Sequence, residues 1–285
     1  MSSPTTSQLA QVARLYYLRD LSKQEIAARL NMSRFRVSRL LVAAREAGLV
    51  RIEIHGDTEE SDGTAAALEH RFGLRHAVVA QAGADVPALA AKWLPSLVGD
   101  RDVIGVAWGA TLRAMTLALA PFELGAPVVQ ICGAIPDLAS GTSPSEVALG
   151  LAERLGGPLH ILPAPAITDA AVRDGLLRND AVRPTVELLD RVTVALVGIG
   201  TRPRNAPAAA VGHLLVHVYD EDGKILPSDL HAIALSVEGL HAARVIAVAA
   251  GAAKHRAILG ALRTGLIDVL VTDHATARFA LEQTG

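Results

Sequence analysis

Seven short apolar runs recur along the last three-quarters of the chain: His76–Ala80, Asp102–Ala107, Val128–Cys132, Leu159–Leu162, Val192–Val197, Val245–Ala249 and Asp268–Val271. Helix-forming stretches lie between most of them, among them Asp85–Leu97, Thr111–Leu119, Ser145–Leu155, Asp169–Leu177 and Ala253–Leu262. Continuous Val/Ile/Leu/Ala runs of this length, alternating with helices, predict a mostly parallel sheet covered on both faces. Aromatic residues are only 3% of the chain, so its core must be built from Ala, Val, Leu and Ile. Ala65–Arg71 predicts a further helix. Thr201–Ala210 reads as a mobile loop, and His213–Tyr219 as a strand running into the turn Asp220–Gly223.

The first 55 residues follow a different pattern. Leu9, Val12, Ala13, Leu15 and Tyr16 recur at helical spacing. Ser22-Lys23-Gln24-Glu25 is a capping box that opens a second helix, with Ile26, Ala27 and Leu30 on its apolar side. After the short Asn31-Met32 turn, Ser33 caps a third helix whose apolar face is Val37, Leu40, Leu41 and Ala44. Gly48 ends that helix. Val50–Ile54 alternates like a short strand, and His55–Thr64 reads as a linker. These features predict two domains, residues 1–55 and residues 56–285.

Charge divides in the same way. Residues 1–55 carry nine Lys/Arg against four Asp/Glu; residues 56–285 carry eighteen against twenty-five. A basic head on an acidic body is the layout of a chain that places one end on nucleic acid. Two helices joined by a tight turn match a helix-turn-helix, whose second helix enters the major groove. With Val37, Leu40 and Leu41 facing inward, Ser33, Arg34, Phe35, Arg36, Ser38 and Arg39 are left for DNA. Arginine's planar fork suits guanine edges and phosphates. Ser22, Lys23 and Gln24 open the preceding helix, where its N-terminus already favours a phosphate.

In the body, two strand-to-helix junctions are competent to hold an anion. One is Trp108-Gly109-Ala110-Thr111. The other is Gly251-Ala252-Ala253-Lys254, which puts a cation in a first turn, against the helix dipole. An anionic ligand between the two would relieve that conflict. The ordinary alternative is a pair of tight turns with a solvated lysine. Cys132 is the only cysteine, so no intrachain disulfide can form. No apolar run approaches the roughly 18–20 residues of a membrane span. The N-terminus has no signal-peptide pattern, and a cytoplasmic location is expected. No cofactor and no metal site is expected.

The chain resembles the SorC/DeoR-type sugar-binding transcriptional regulators. The resemblance rests on Tyr16–Ile54, on F-G-L-R-H-A-V-V at Phe72–Val79, on Gly99–Leu112, on V-G-I-G at Val197–Gly200 and on Ala249–Asp273. These blocks follow one another in family order over nearly the whole chain. The resemblance implies a Rossmann-like effector domain similar to sugar-phosphate isomerases. It also implies phosphate recognition at Gly109, Ala110, Thr111 and Lys254 beside Trp108, with Gly133, Gly200 and Gly251 allowing close backbone approach. Asp273 matches the family's Thr-Asp pair.

Two departures stand out. Ala250 replaces one of two consecutive glycines. Gly212-His213 and Val216–Asp220 stand where the family carries Gly-Asp and a Gly-Arg-Phe-Phe-Asp stretch. The implied function is a regulator whose operator affinity is controlled by a sugar, polyol or sugar phosphate. Its implied form is a homo-oligomer, dimer or tetramer, on double-stranded, pseudo-palindromic operator DNA, with no membrane partner. The alternative is an isomerase-like enzyme carrying a DNA-binding head, drawing its base from His213, His217, Asp229, His231, Glu238 or His241. A bare dimerisation scaffold for the head is a third reading.

Overall fold

The computed structural model describes residues 6–17, 21–46, 49, 63–135, 143–228 and 230–283. The chain divides into two compact units, Met1–Thr58 and Glu59–Gly285. The expected strand Val50–Ile54, the helix stop at Gly48, most of the expected linker and the 55/56 boundary lie outside the described residues, as does Asp229.

The first unit contains helices α1 (Thr6–Tyr17), α2 (Lys23–Arg29) and α3 (Arg34–Glu46). The capping box forms as expected. The Glu25 backbone N–H donates to Ser22 Oγ at 3.2 Å, and the Ser22 N–H donates to Glu25 Oε2 at 2.8 Å. The Ser22 side chain first, and its backbone N–H second, hold the Glu25 carboxyl below its usual range. Ser33 caps α3 by accepting from the Arg36 N–H at 3.2 Å. Leu9, Val12, Ala13, Ile26, Val37, Leu40, Leu41 and Ala44 are buried together. Each buried Val, Leu or Ile side chain contributes on the order of 1.5–3 kcal/mol, which is how a helix as short as α2 persists.

The second unit is an α/β sandwich around one sheet. All seven apolar runs become its strands: β1 (His76–Ala80), β2 (Ile104–Val106), β3 (Val128–Gln130), β4 (Leu159–His160), β5 (Val194–Gly198), β6 (Arg244–Val248) and β7 (Val269–Asp273). Their order is β1-β7-β6-β5-β2-β3-β4, and every pairing is parallel. Helices α4 (Thr64–Phe72), α5 (Val86–Leu97), α6 (Ala110–Ala118), α7 (Pro144–Leu155), α8 (Ala170–Leu177), α9 (Arg183–Leu189), α10 (Val237–Ala242), α11 (His255–Arg263) and α12 (His274–Glu282) complete the unit. The central strands are buried along nearly their whole length, which is why they read as unbroken apolar runs rather than alternating ones. At the N-terminal rim of the sheet, the Arg244 guanidinium donates to the Leu97 carbonyl at 2.6 Å and to Asp102 Oδ2 at 3.1 Å.

Two expected elements are corrected. His213–Tyr219 is not a single strand but a tight hairpin, Gly212–Leu214 against His217–Tyr219. Its turn residue Leu215 has φ +51° and is buried. The turn contains no Gly or Asn, so the usual sequence signal for a reversal is missing. The expected loop Thr201–Ala210 is shorter by one residue: Gly200–Thr201 forms a third strand against Gly212–His213, and residues 202–210 form the loop, with Arg202 donating to the carbonyls of Ala206 (2.9 Å) and Pro207 (3.1 Å).

Candidate effector site and nucleic-acid interface

The strand order decides where a ligand can sit. From β2 the chain moves outward through β3 to β4. It then returns to β5 and moves the other way through β6 and β7. The sheet therefore reverses direction between β2 and β5, and in open α/β sheets the crevice beyond the carboxyl ends of such strands receives the ligand. A cleft of about 240 Å³ lies at that point, lined by Ala107–Leu112, Gly198–Gly200, His213, Leu215 and Lys254.

The helices of the second unit differ at their first turns. Four are capped by the chain's own side chains. Asp85 accepts from the Ala88 N–H at 3.4 Å in α5, Asp169 from Val172 at 2.9 Å in α8, Ser236 from Gly239 at 3.0 Å in α10, and Asp273 from Thr276 at 2.6 Å in α12. At α7 the Glu146 carboxylate returns to the Ser143 N–H at 3.3 Å. The first turns of α4, α6, α9 and α11 have no side-chain cap, and of these the starts of α6 and α11 border the cleft. An uncapped helix start leaves N–H donors and the positive end of the macrodipole for an anion.

Gly109, the N-cap residue of α6, has φ +130°, a conformation only glycine adopts readily. Thr111 follows in the first turn and lines the cleft. Gly251 is likewise at φ +100°, but its N–H is already taken: it donates to Asp273 Oδ2 at 2.7 Å and to Thr276 Oγ1 at 3.2 Å. Asp273 thus joins two junctions and acts as a structural brace. Residues Ala252–Lys254 form one 3-10 turn that delivers Lys254 to the start of α11. Burial pulls the Lys254 ammonium below the ordinary lysine value. Among the described residues Lys254 makes no ion pair.

His213 completes the cleft. Its Nδ1 lies 2.7 Å from the Leu215 carbonyl oxygen, which can only accept, so Nδ1 carries the hydrogen. Burial first, and Lys254 to a smaller degree, lower the His213 pKa, and the ring is neutral near pH 7. Nε2 is therefore a lone-pair acceptor. The ring lies against Gly200, where a Cβ would come within 1.9 Å of Nε2.

The structure thus brings together Trp108, Gly109, Ala110, Thr111, Gly200 and Lys254, with Gly251 anchoring the lysine turn. Gly133 stands apart. A Cβ there would collide with the backbone of Ala164–Ala166 at about 2.5 Å, so this glycine serves chain packing. Sequence reasoning placed His213 in a histidine cluster instead of in the cleft. His217 is held elsewhere, its Nε2 2.8 Å from the Leu235 carbonyl, and His231 belongs to a two-stranded ribbon with Thr168. The signal that could have found His213 was its substitution for an acid at a family position.

In the first unit, Ser22, Lys23, Gln24, Ser33, Arg34, Phe35, Arg36 and Arg39 are all exposed, and Ser38 is half-buried. They occupy the starts of α2 and α3 and the solvent side of α3.

Comparison with known proteins agrees with both units. Residues 57–282 match the family described as "Putative sugar-binding domain", and residues 6–47 match sigma-70 region 4. The deoxyribonucleoside regulator of Bacillus subtilis (strain 168) is 31% identical over 94% of this chain and 95% of its own length. The sorbitol operon regulator of Klebsiella pneumoniae is 30% identical over 96% and 97%. The crystal structure of the full-length Klebsiella pneumoniae sorbitol operon regulator SorC superposes with a TM-score of 0.72 at 27% identity. It covers 99% of this chain and all of that one. Among the described residues no helix is long and apolar enough to cross a membrane. With a helix-turn-helix head and a sugar-binding domain in this order, the chain belongs to the SorC/DeoR-type family of sugar-binding transcriptional regulators.

Proposed function

We propose that the cleft holds a small polyhydroxylated anion, such as a sugar or polyol phosphate, and that this ligand sets the affinity of residues 1–55 for operator DNA. The observation that carries the reading is that two helix starts without side-chain caps, α6 and α11, border one cleft, with Lys254, which makes no ion pair among the described residues, at the start of α11. The anionic group would sit on the first-turn N–H groups of Ala110 and Thr111 and on the Lys254 ammonium. A ligand hydroxyl would donate to His213 Nε2. Trp108, Gly109 and Gly200 shape the walls.

Ser22, Lys23 and Gln24 would hold backbone phosphate, and α3 would enter the major groove. Ligand binding changes operator affinity only if it favours one state of the protein over another; typical couplings of about 1–3 kcal/mol correspond to roughly 5–150-fold. Two-fold pairing of heads on a pseudo-palindromic operator requires a dimer at least. A monomer by light scattering, both free and on DNA, would end that part of the reading.

The test is a thermal-shift panel of sugars, polyols and their phosphate esters, followed by operator binding with each hit. A ligand specific to the folded state must raise its stability. The expected hit is a phosphate ester that shifts the midpoint more than its parent alcohol, alters operator affinity and is recovered unchanged. No shift from any anionic member would overturn the cleft assignment; conversion of the hit would establish an enzyme.

A further inference from the structure

Helix α3 is asymmetric in a way that sorts its polar residues. An α-helix turns roughly 100° per residue. Val37, Leu40, Leu41 and Ala44 are buried and define the inward direction. The direction opposite is occupied by Phe35, Arg39 and Val42, with Ser38 beside them. Phe35 is 71% exposed, the highest value among the large hydrophobic side chains of the described residues, and Val42 is 43% exposed. Arg34 and Arg36 fall on the two flanks, between the inward and outward faces. An aromatic ring left in water at the second position of a helix makes no contribution to the head's core. The Arg34 guanidinium lies over that ring, 5.4 Å from its centroid.

We infer that α3 reads bases through Phe35 and Arg39, with Phe35 recognising the 5-methyl group of a thymine, and that Arg34 and Arg36 contact the phosphates on either side. This rests on the proposed DNA-binding role of the head. The major groove displays the thymine methyl as its one apolar feature, and apolar side chains such as Phe read it by contact. Arg39 lies one helical turn further on the same face, about 6 Å along the axis. Base steps are about 3.4 Å apart, so the two contacts fall on bases one or two steps apart. Arginine in that position takes guanine O6 and N7 together. With Phe35 and Arg39 toward the bases, the flanks that carry Arg34 and Arg36 would face the groove walls, where the phosphate backbone is within reach.

The experiment uses the full chain and a duplex it selects from a randomised pool. Each thymine of the selected site is replaced in turn by uracil, which removes only the methyl. At one position per half-site the wild type should bind about three- to fivefold more weakly, the loss expected for one buried methyl. Phe35→Ala should be indifferent to that replacement, while Phe35→Leu retains part of the discrimination. Arg39→Ala should cost about 5- to 150-fold and relax preference at a neighbouring guanine. Arg34→Ala and Arg36→Ala should weaken all sequences alike and each reduce the salt slope by about one. Selection without any methyl-sensitive position, or a Phe35→Ala protein as sensitive as wild type, overturns the assignment of Phe35 while the head remains a DNA reader. Enrichment of no sequence at all overturns the DNA-binding reading and this inference with it.

Discussion

The β2–α6 and β7–α12 junctions are made from the same parts, yet one is closed and the other open. In each, a buried parallel strand runs out at the C-terminal rim of the sheet and a nine-residue helix begins. At β7–α12 the chain supplies its own anion: the Asp273 carboxylate accepts from Thr276 at 2.6 Å and from Gly251 at 2.7 Å. At β2–α6 the corresponding position is Gly109, which has no side chain to offer. With glycine at the N-cap, the missing side-chain cap costs only about a few tenths of a kcal/mol, so α6 tolerates an open start. Four helices of this unit, α4, α6, α9 and α11, start without a side-chain cap, and the starts of α6 and α11 are the two that border the cleft at the reversal point. The difference between the junctions marks the effector cleft.

The largest test of this contrast is Lys254→Ala. A hydrogen bond to a charged group contributes about 1.5–3 kcal/mol, so effector affinity should fall roughly 10- to 150-fold. Lys254 has no ion-pair partner among the described residues and its charge is partly desolvated. The thermal midpoint of the effector-free protein should therefore not fall, and effector-free operator binding should be unchanged. Titration of the operator complex with the thermal-shift hit reads all three. An unaltered effector midpoint would move the sensing site away from this cleft.

Ala110→Asp should make the open junction resemble the closed one. An acid in the first turn of α6 stabilises the helix by about 0.3–1 kcal/mol. The same carboxylate would repel the effector's anion across the cleft and weaken binding by about tenfold or more. Stability and response should thus move in opposite directions in a single variant, which no general loosening of the fold can produce. If both fall together, the α6 start is not an anion site.

Much of this contrast was visible in the sequence, and the part that was not has a physical reason. The seven strands announced themselves because burial on both faces demands unbroken apolar runs. Ser22, Glu25 and Ser33 were recognisable as caps because capping depends on residues three positions apart. Gly109, Thr111 and Lys254 stood at junctions readable from local pattern. Strand order is a long-range property, so nothing local indicated that Gly198–Gly200 would lie between the two junctions. The hairpin at Leu215 was hidden because a buried leucine took the left-handed conformation usually given to glycine. His213 was assigned to the wrong neighbours for the same reason: only the folded hairpin carries it to Gly200. Gly133 was read as a ligand-facing glycine, whereas its missing side chain makes room for Ala164–Ala166.

His213 offers a subtler test, through pH. Its folded pKa is lowered by burial, and the unfolded chain titrates near the ordinary 6.5. Above that value both states are neutral and the group has no effect. As pH falls below it the unfolded chain takes up a proton first, so stability declines until the folded pKa is passed. His213→Leu should flatten that decline in thermal midpoints between pH 7 and 5. At pH 7.5 it should also weaken effector binding about five- to tenfold by removing the Nε2 acceptor. An unchanged pH slope would mean the ring is not buried against Gly200.

Thr111→Val should give the smallest effect and isolates one atom. Threonine and valine are both β-branched and nearly equal in volume and helix propensity, so the first turn of α6 keeps its geometry. The substitution leaves the Thr111 backbone N–H in place, and with it most of the anion-binding capacity of the helix start. Only the hydroxyl is lost, and one neutral hydrogen bond contributes about 0.5–1.5 kcal/mol. Effector affinity should fall by about two- to tenfold, toward the lower end because the neighbouring N–H groups and Lys254 remain. The thermal midpoint without effector should stay put, since this hydroxyl has no hydrogen-bond partner among the described residues. A matched change at another capped helix start, Asp85→Ala in α5, should do the reverse. It should lower stability by about 1 kcal/mol through the lost cap and leave effector affinity untouched. If Thr111→Val lowers stability and spares the response, the hydroxyl is serving the helix and not the ligand. The α6 junction would then be closed after all, by its own threonine.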